Sequence, residues 1–165
     1  MNIHAPIETG VQHTLVSLRP RAEARILRLM AKRAAASARV RAVPEKALVS
    51  VVDDDESVRE SLPDLLRELG YASQAFSSAE EFLKSECVST TRCLILDVAM
   101  PSMSGPELQQ ELTRRGYDKR IIFITARVDE TVRRQLLAQG AVECLYKPFS
   151  EQELKAALDQ ALPGS

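Results

Sequence analysis

Four times in this sequence an apolar run of strand length ends in a polar group. Val49-Ser50-Val51-Val52 meets Asp53-Asp54-Asp55-Glu56, Cys93-Leu94-Ile95-Leu96 meets Asp97, Ile121-Ile122-Phe123-Ile124 meets Thr125, and the run ending in Leu145-Tyr146 meets Lys147. Taken singly, each is ordinary. Aspartates collect at helix N-termini, where the dipole attracts them. A threonine can bond its own backbone, and a lysine before a proline can lie on the surface. Taken together they form a reactive set. A carboxylate can attack phosphorus and give an acyl phosphate. Its charge repels the incoming dianion, so a cation must offset both. Clustered carboxylates without His or Cys suit a hard, oxygen-loving ion, and Mg2+ is usual where phosphate is involved. An ammonium can hold a second phosphoryl oxygen as a point charge, and a hydroxyl can donate to a third. Positioning and charge stabilisation of this kind are most of what phosphoryl transfer asks of a protein.

The elements that must bring these groups together follow from the apolar spacing. A short unbroken apolar run reads as a strand buried on both faces, as in a parallel sheet covered by helices. Ala47–Val52, Tyr71–Phe76, Cys93–Asp97, Ile121–Thr125 and Val142–Tyr146 are the five strand segments. Between the first two, Val58, Leu62, Leu65, Leu66 and Leu69 share one helix face. Gly70 closes that helix, and Pro63 inside it is expected to kink the axis. Ser77-Ser78-Ala79-Glu80-Glu81 holds two overlapping capping boxes that open a helix through Phe82 and Leu83. Pro106 is expected as the first residue of a helix carrying Leu108 and Leu112 and ended by Gly116. Asp129–Gln139 places Val132 and Leu136 inward before Gly140, and a Ser150/Glu153 capping box opens a last helix with Leu154, Ala157, Leu158 and Ala161 on one face. Five strands alternating with five helices define an α/β fold with a parallel sheet and right-handed crossovers. Ligands in such sheets sit beyond the carboxyl ends of the strands, near the reversal of strand order. The four polar ends therefore share one edge and can converge.

The 165 residues, 27% charged and 45% apolar, match a soluble globular protein with a proper core. No apolar run approaches the roughly 20 residues of a membrane span, and the first residues lack a secretory pattern. Three cysteines without metal-type spacing argue against a disulfide framework, so the reading is a cytoplasmic protein in a reducing compartment. Charge divides the chain. Residues 1–46 carry nine basic and three acidic side chains, a net +6; residues 47–165 carry thirteen and twenty, a net −7. Residues 1–46 form a basic extension without periodicity over Met1–Pro20, which reads as largely disordered. Arg21–Arg39 could be helical, and Val43-Pro44-Glu45-Lys46 reads as a linker. The extension is either a basic arm for anionic partners, nucleic acid included, a solvated tail, or sequence upstream of a true start at Met30.

Val52-Asp53-Asp54-Asp55, Leu96-Asp97-Val98-Ala99-Met100-Pro101 with Gly105, Ile124-Thr125-Ala126 and Lys147-Pro148-Phe149 together resemble the receiver domain of bacterial two-component response regulators. The pattern from Ser77 to Leu83 is similar to the FixJ-type branch. The resemblance covers about Ala47 to Leu162. It implies that 47–163 is a receiver domain: a doubly wound, five-stranded parallel sheet of order 2-1-3-4-5 with five helices, flavodoxin/CheY-like. It implies a phosphorelay role in which Asp97 accepts phosphate from a sensor histidine kinase or histidine phosphotransfer protein. Asp54 would bind Mg2+ directly and Asp53 mainly through water, with Asp97 and the Ala99 backbone carbonyl completing the ligands. Thr125 would be the switch hydroxyl, Lys147 would contact the phosphoryl group, and Lys147-Pro148 would be cis. The kinase would dock near the first helix and the loop after the fifth strand, and a homodimer would use the last two helices. The implied protein is a signalling phosphoacceptor rather than an enzyme, with no membrane contact and no direct nucleic-acid contact.

Two positions depart from the family pattern. Cys144 stands three before the lysine, where an aromatic is usual, and Val98-Ala99 replaces a bulkier or polar pair. A thiol cannot fill or vacate a ring-sized space, so Tyr146 or Phe149 is expected to take part of the switching role. Pro63 is expected to shape the kinase-docking surface. The rivals are a binding module of the same fold that takes no phosphate, a Mg2+-dependent phosphohydrolase and a flavodoxin-like electron carrier. The hydrolase would place a second acid where Ala99 stands, and Asp53-Asp54-Asp55 would repel a flavin phosphate. Only Ser150–Ser165 follow the fifth strand, which is room for one helix. The expectation is a stand-alone receiver without DNA-binding output, or else a piece of a longer regulator.

Overall fold

The structure, a computed structural model, describes residues 46–164. The expected disorder and helix within residues 1–45 lie outside the described residues. Five strands form one parallel sheet: β1 Leu48–Val52, β2 Ala72–Phe76, β3 Cys93–Asp97, β4 Arg120–Thr125 and β5 Glu143–Tyr146, in the order β2-β1-β3-β4-β5. The chain winds outward to β2, then crosses back past β1 to β3, so the order reverses between β1 and β3. Their register pairs Val52 with Leu96, which sets Asp53 and Asp97 side by side at the switch point.

Six helices cover the sheet: α1 Glu56–Glu68, α2 Ala79–Lys84, α3 Cys87–Thr90, α4 Gly105–Arg114, α5 Glu130–Ala138 and α6 Glu151–Ala161. Alternate residues of each inner strand face opposite layers. Val49, Val51, Cys93, Ile95, Ile122 and Ile124 meet Leu62 and Leu66 of α1 and Leu154 and Leu158 of α6. Leu94, Leu96 and Phe123 meet Phe82, Val88, Leu108, Leu112 and Leu136 on the other side. Every residue of β3 is buried, which is why its sequence shows no alternation. Gly70, Gly116 and Gly140 take φ of 97°, 81° and 95° just after α1, α4 and α5, the left-handed turn that releases a helix.

The structure corrects three local expectations. There are six helices among the described residues, not five, because α3 is a single turn too short to show a helical period. Thr91 just after it donates its hydroxyl to the Cys87 carbonyl at 2.7 Å and lies 2.7 Å from the buried Ser50 hydroxyl. The two capping boxes at α2 merge into one arrangement. Ser78 accepts from the Glu81 N–H, but the Glu81 carboxylate accepts from the N–H and hydroxyl of Ser77. Pro106 is the second residue of α4, and Gly105 is the first. Helix α1 continues through Pro63 for 13 residues, and the Pro63 carbonyl accepts from the Ser73 hydroxyl at 3.1 Å.

The three cysteines are free. Burial pushes the Cys93 thiol up to about 12 and the Cys144 thiol up to about 11, whereas Cys87 is only half-buried. Thiolate is the reactive form. Titration of the native protein with an aromatic disulfide at mildly alkaline pH is therefore expected to modify Cys87 alone. All three cysteines should react in denaturant, and Cys87→Ser should remove the native reaction.

Candidate functional site

At the end of β1 the chain must place three consecutive carboxylates, and each finds a different environment. Asp53 is fully buried. Its Oδ1 accepts the Asp55 N–H at 2.8 Å, and its Oδ2 lies 2.6 Å from the Lys147 Nζ. Asp54 is exposed. Asp55 is the N-cap of α1 and accepts from the N–H and hydroxyl of Ser57, which hold its carboxyl below the usual range. Arg59, one turn into α1, reaches back and donates from Nη1 to the backbone carbonyls of Asp53 and Asp54 at 3.0 and 2.6 Å. The repulsion that the sequence implies is thus offset by an ammonium, a helix terminus and a guanidinium.

At the end of β3, Asp97 is buried with 6% of its surface exposed. Its Oδ1 lies 2.7 Å from the same Lys147 Nζ, and its Oδ2 accepts the Ala99 N–H at 2.7 Å. Lys147 directly follows β5, precedes a cis bond to Pro148 and joins both acids. Burial works to lower the Lys147 pKa, but its bonds to Asp53 and Asp97 outweigh that and hold it above the ordinary lysine value. Asp53 is pulled both ways, and loss of hydration wins: its carboxyl is raised despite the lysine.

The structure brings together Asp53, Asp97, Lys147 and the Ala99 backbone; Asp54 stands next to them. Thr125, buried at the end of β4, shares the edge without bonding to the acids. Its hydroxyl accepts the Arg127 N–H at 3.2 Å, and its carbonyl accepts the Lys147 N–H at 2.8 Å. The expected metal set of Asp53, Asp54 and Asp97 is not a closed cage. Among the described residues no three His, Cys, Asp or Glu side chains gather around one point. The reason is local: Lys147 Nζ takes the place between Asp53 and Asp97, and Asp54 remains in solvent. The donor set still fits a hard cation. Two buried carboxylates share a single ammonium and an exposed third, Asp54, stands next to them, an excess of negative charge that favours a further cation, and all the donors are oxygens.

Gly105 carries a constraint that the sequence reading missed. A Cβ there would collide with the Asp97 carbonyl oxygen and stand 3.0 Å from the Phe123 ring. The Gly105 N–H also donates to the Val98 carbonyl at 3.2 Å, so α4 starts pressed against the end of β3. The available signal was a glycine, a poor helix former, directly after the Ser104 cap. Cys144 is buried beside Phe123 in the strand register. Around it, the Tyr146 hydroxyl donates to Glu130 at 3.0 Å and Arg133 donates to Glu143 at 2.7 Å, tying α5 to β5. These residues line an open groove of about 350 Å³ that continues onto α6. Phe149 lies elsewhere, in a groove with Val58, Leu62 and Leu65 of α1.

The switch point of this doubly wound α/β sheet thus joins two acids through one lysine. The family model for the response regulator receiver domain matches residues 49–159, and the chain belongs to that family. Nodulation protein W of Bradyrhizobium diazoefficiens is 45% identical over 113 residues, which are 68% of this chain and 50% of that protein. Transcriptional regulatory protein FixJ of Azorhizobium caulinodans is 38% identical over 120 residues, 73% and 57% of the two chains. Among solved structures, response regulator StyR matches with a TM-score of 0.65 at 45% identity, covering 71% of this chain and 59% of that one. FixJ-N matches with a TM-score of 0.63 at 34% identity, covering 70% and 92%. The chain spans about half the length of the curated relatives it matches. Response regulators are signalling proteins that work with histidine kinases. No helix among the described residues is long and apolar enough to cross a membrane.

Gly105→Ala is expected to force α4 away from β3 and to destabilise the domain by about 1–3 kcal/mol, the usual penalty of overpacking. Urea denaturation checks the stability. An unchanged midpoint would show that α4 can shift at no cost.

Proposed function

We propose that Asp97 is the phosphoacceptor of this receiver, taking a phosphoryl group from a histidine kinase or a histidine phosphotransfer protein. The observation that carries the reading is the single ammonium shared by Asp53 and Asp97 at the point where strand order reverses. Each Asp97 oxygen has one donor and keeps free lone pairs. One oxygen attacks phosphorus while the bond from phosphorus to the donor imidazole nitrogen breaks and its electrons return to that nitrogen. The products are an acyl phosphate and a neutral histidine. The Ala99 N–H fixes the plane of the carboxylate, and Lys147, already bonded to it, passes to a phosphoryl oxygen as charge moves there.

Asp53, Asp54, Asp97 and the Ala99 carbonyl would hold Mg2+. When bound, the ion supplies the charge that lets an anionic donor approach an anionic acceptor. Thr125 gives up the Arg127 N–H and donates to the new phosphoryl group. Cys144 has no ring to move, so Tyr146, paired with Thr125 in the register and bonded to Glu130, carries the change toward the groove of α5, β5 and α6. That face is the homodimer surface in this reading, and the Phe149 groove beside α1 is the kinase surface, with Pro63 in the same helix. Residues 47–163 are the receiver, 1–46 are a basic extension, and the setting is the cytoplasm.

Incubation of the full chain with radiolabelled acetyl phosphate and Mg2+ tests the assignment. Wild type should gain label that hydroxylamine removes, and Asp97→Asn should lose it by about a hundredfold or more, since a carboxamide is a far weaker nucleophile toward phosphorus than a carboxylate. Label retained in Asp97→Asn would overturn the assignment. A wild type that takes no label would leave a protein-binding module of the same fold.

A further inference from the structure

Arg59 is a cation at the edge of the acidic site that bonds none of its carboxylates. Among the described residues its partners are two backbone carbonyls, those of Asp53 and Asp54, both served by the same Nη1. The two hydrogens of one planar nitrogen diverge at a fixed angle, so holding both carbonyls fixes the two peptides that flank the Asp54 Cα. Those peptides set where the Asp54 side chain leaves the backbone. Lys147 works in the opposite sense: it occupies carboxylate oxygens, whereas Arg59 leaves them open.

We propose that Arg59 is a positioning residue that holds the turn after β1 so that the Asp54 carboxylate is presented for a divalent cation beside Asp53 and Asp97. The inference rests on the phosphoacceptor reading above and deepens it. Arg59 has two effects of opposite sign. Its charge repels a cation, so removing it would tighten binding. Its two bonds hold a ligand-bearing turn, so removing them loosens binding, and outer partners of this kind typically change metal affinity by roughly ten- to a hundredfold. Both carbonyl bonds are charge-assisted, and the one to Asp54 is short at 2.6 Å, while the charge acts at the rim of the site through partly exposed surroundings where it is screened. Positioning wins.

The test is a Mg2+ titration of the full chain, without phosphodonor, followed by backbone amide shifts, for wild type, Arg59→Ala and Arg59→Lys. Arg59→Ala should weaken Mg2+ binding by about tenfold. Arg59→Lys keeps the charge and the helix propensity but loses the planar nitrogen, and should fall between the other two. Labelling by acetyl phosphate should show a raised Mg2+ requirement in both variants, with the rate at saturating Mg2+ within about twofold of wild type, since Arg59 touches no reacting atom. Arg59→Lys decides the matter should the alanine variant fail to fold. Mg2+ binding that is unchanged or tighter in the variants overturns the positioning role and leaves the acceptor assignment standing. A wild type that binds no Mg2+ overturns both.

Discussion

One ammonium held between two buried carboxylates is the interaction on which the rest of this structure depends. Lys147 reaches Asp53 and Asp97 at 2.6 and 2.7 Å, and both acids are buried. Placing two carboxylates out of water is expensive, and one lysine returns only part of that cost. The direction of the Asp53 shift says so: burial raises its pKa even with the ammonium in contact. A well-packed apolar trio would make a more stable sheet edge. On the phosphoacceptor reading proposed above, the retained charge is readiness, because a site short of one positive charge favours a cation and would respond to a phosphoryl group.

The sheet makes that juxtaposition hard to avoid. The reversal between β1 and β3 sets two strand ends next to each other with no helix crossing between them. The register Val52–Leu96 leaves the next residue of each strand, Asp53 and Asp97, at the same height. Because β3 is buried on both faces, a slip of one residue would drive Asp97 into the core, and its charge forbids that. Gly105 then brings the start of α4 so close to β3 that no side chain fits between them. The acid cannot retreat.

The parallel sheet and most element boundaries were legible in the sequence, because buried parallel strands leave unbroken apolar runs and glycines mark the helix ends, whereas the strand order followed only from the family resemblance. Helix α3 was not legible, since one turn carries no period. The capping at Ser77 and Ser78 offered two equivalent hydroxyls, and only the path of the chain decides which one meets Glu81. Within the site, residue type and position at a strand end were enough to single out Asp53, Asp54, Asp97, Thr125 and Lys147. The double engagement of Lys147, the reach of Arg59 back to two carbonyls and the closeness of Gly105 to Asp97 could not be read. They are distances between segments far apart in the chain or folded back on themselves, and composition does not encode distances.

The helices are not held equally, and this bears on how a change at Asp97 could spread. Helix α6 buries Leu154, Ala157, Leu158 and Ala161 against the sheet, whereas α5 buries only Leu136. What α5 lacks in apolar contact it replaces with the Arg133–Glu143 and Tyr146–Glu130 bonds, both partly exposed. Ties of this kind contribute about 0–1 kcal/mol each, against about 1.5–3 kcal/mol for a fully buried leucine. The segment leading into α5, from Ala126 to Asp129, is exposed throughout and carries Val128 with 75% of its surface in solvent. A perturbation of a few kcal/mol at Thr125 would therefore be spent on α5 before it moved α1 or α6. Cys144 fits that division, because a small thiol under α5 leaves the helix free to shift without first expelling a ring. The partners of a switch built this way should read the α5 side of the sheet, and the tightly packed α1 and α6 layer should serve as the frame against which that side moves.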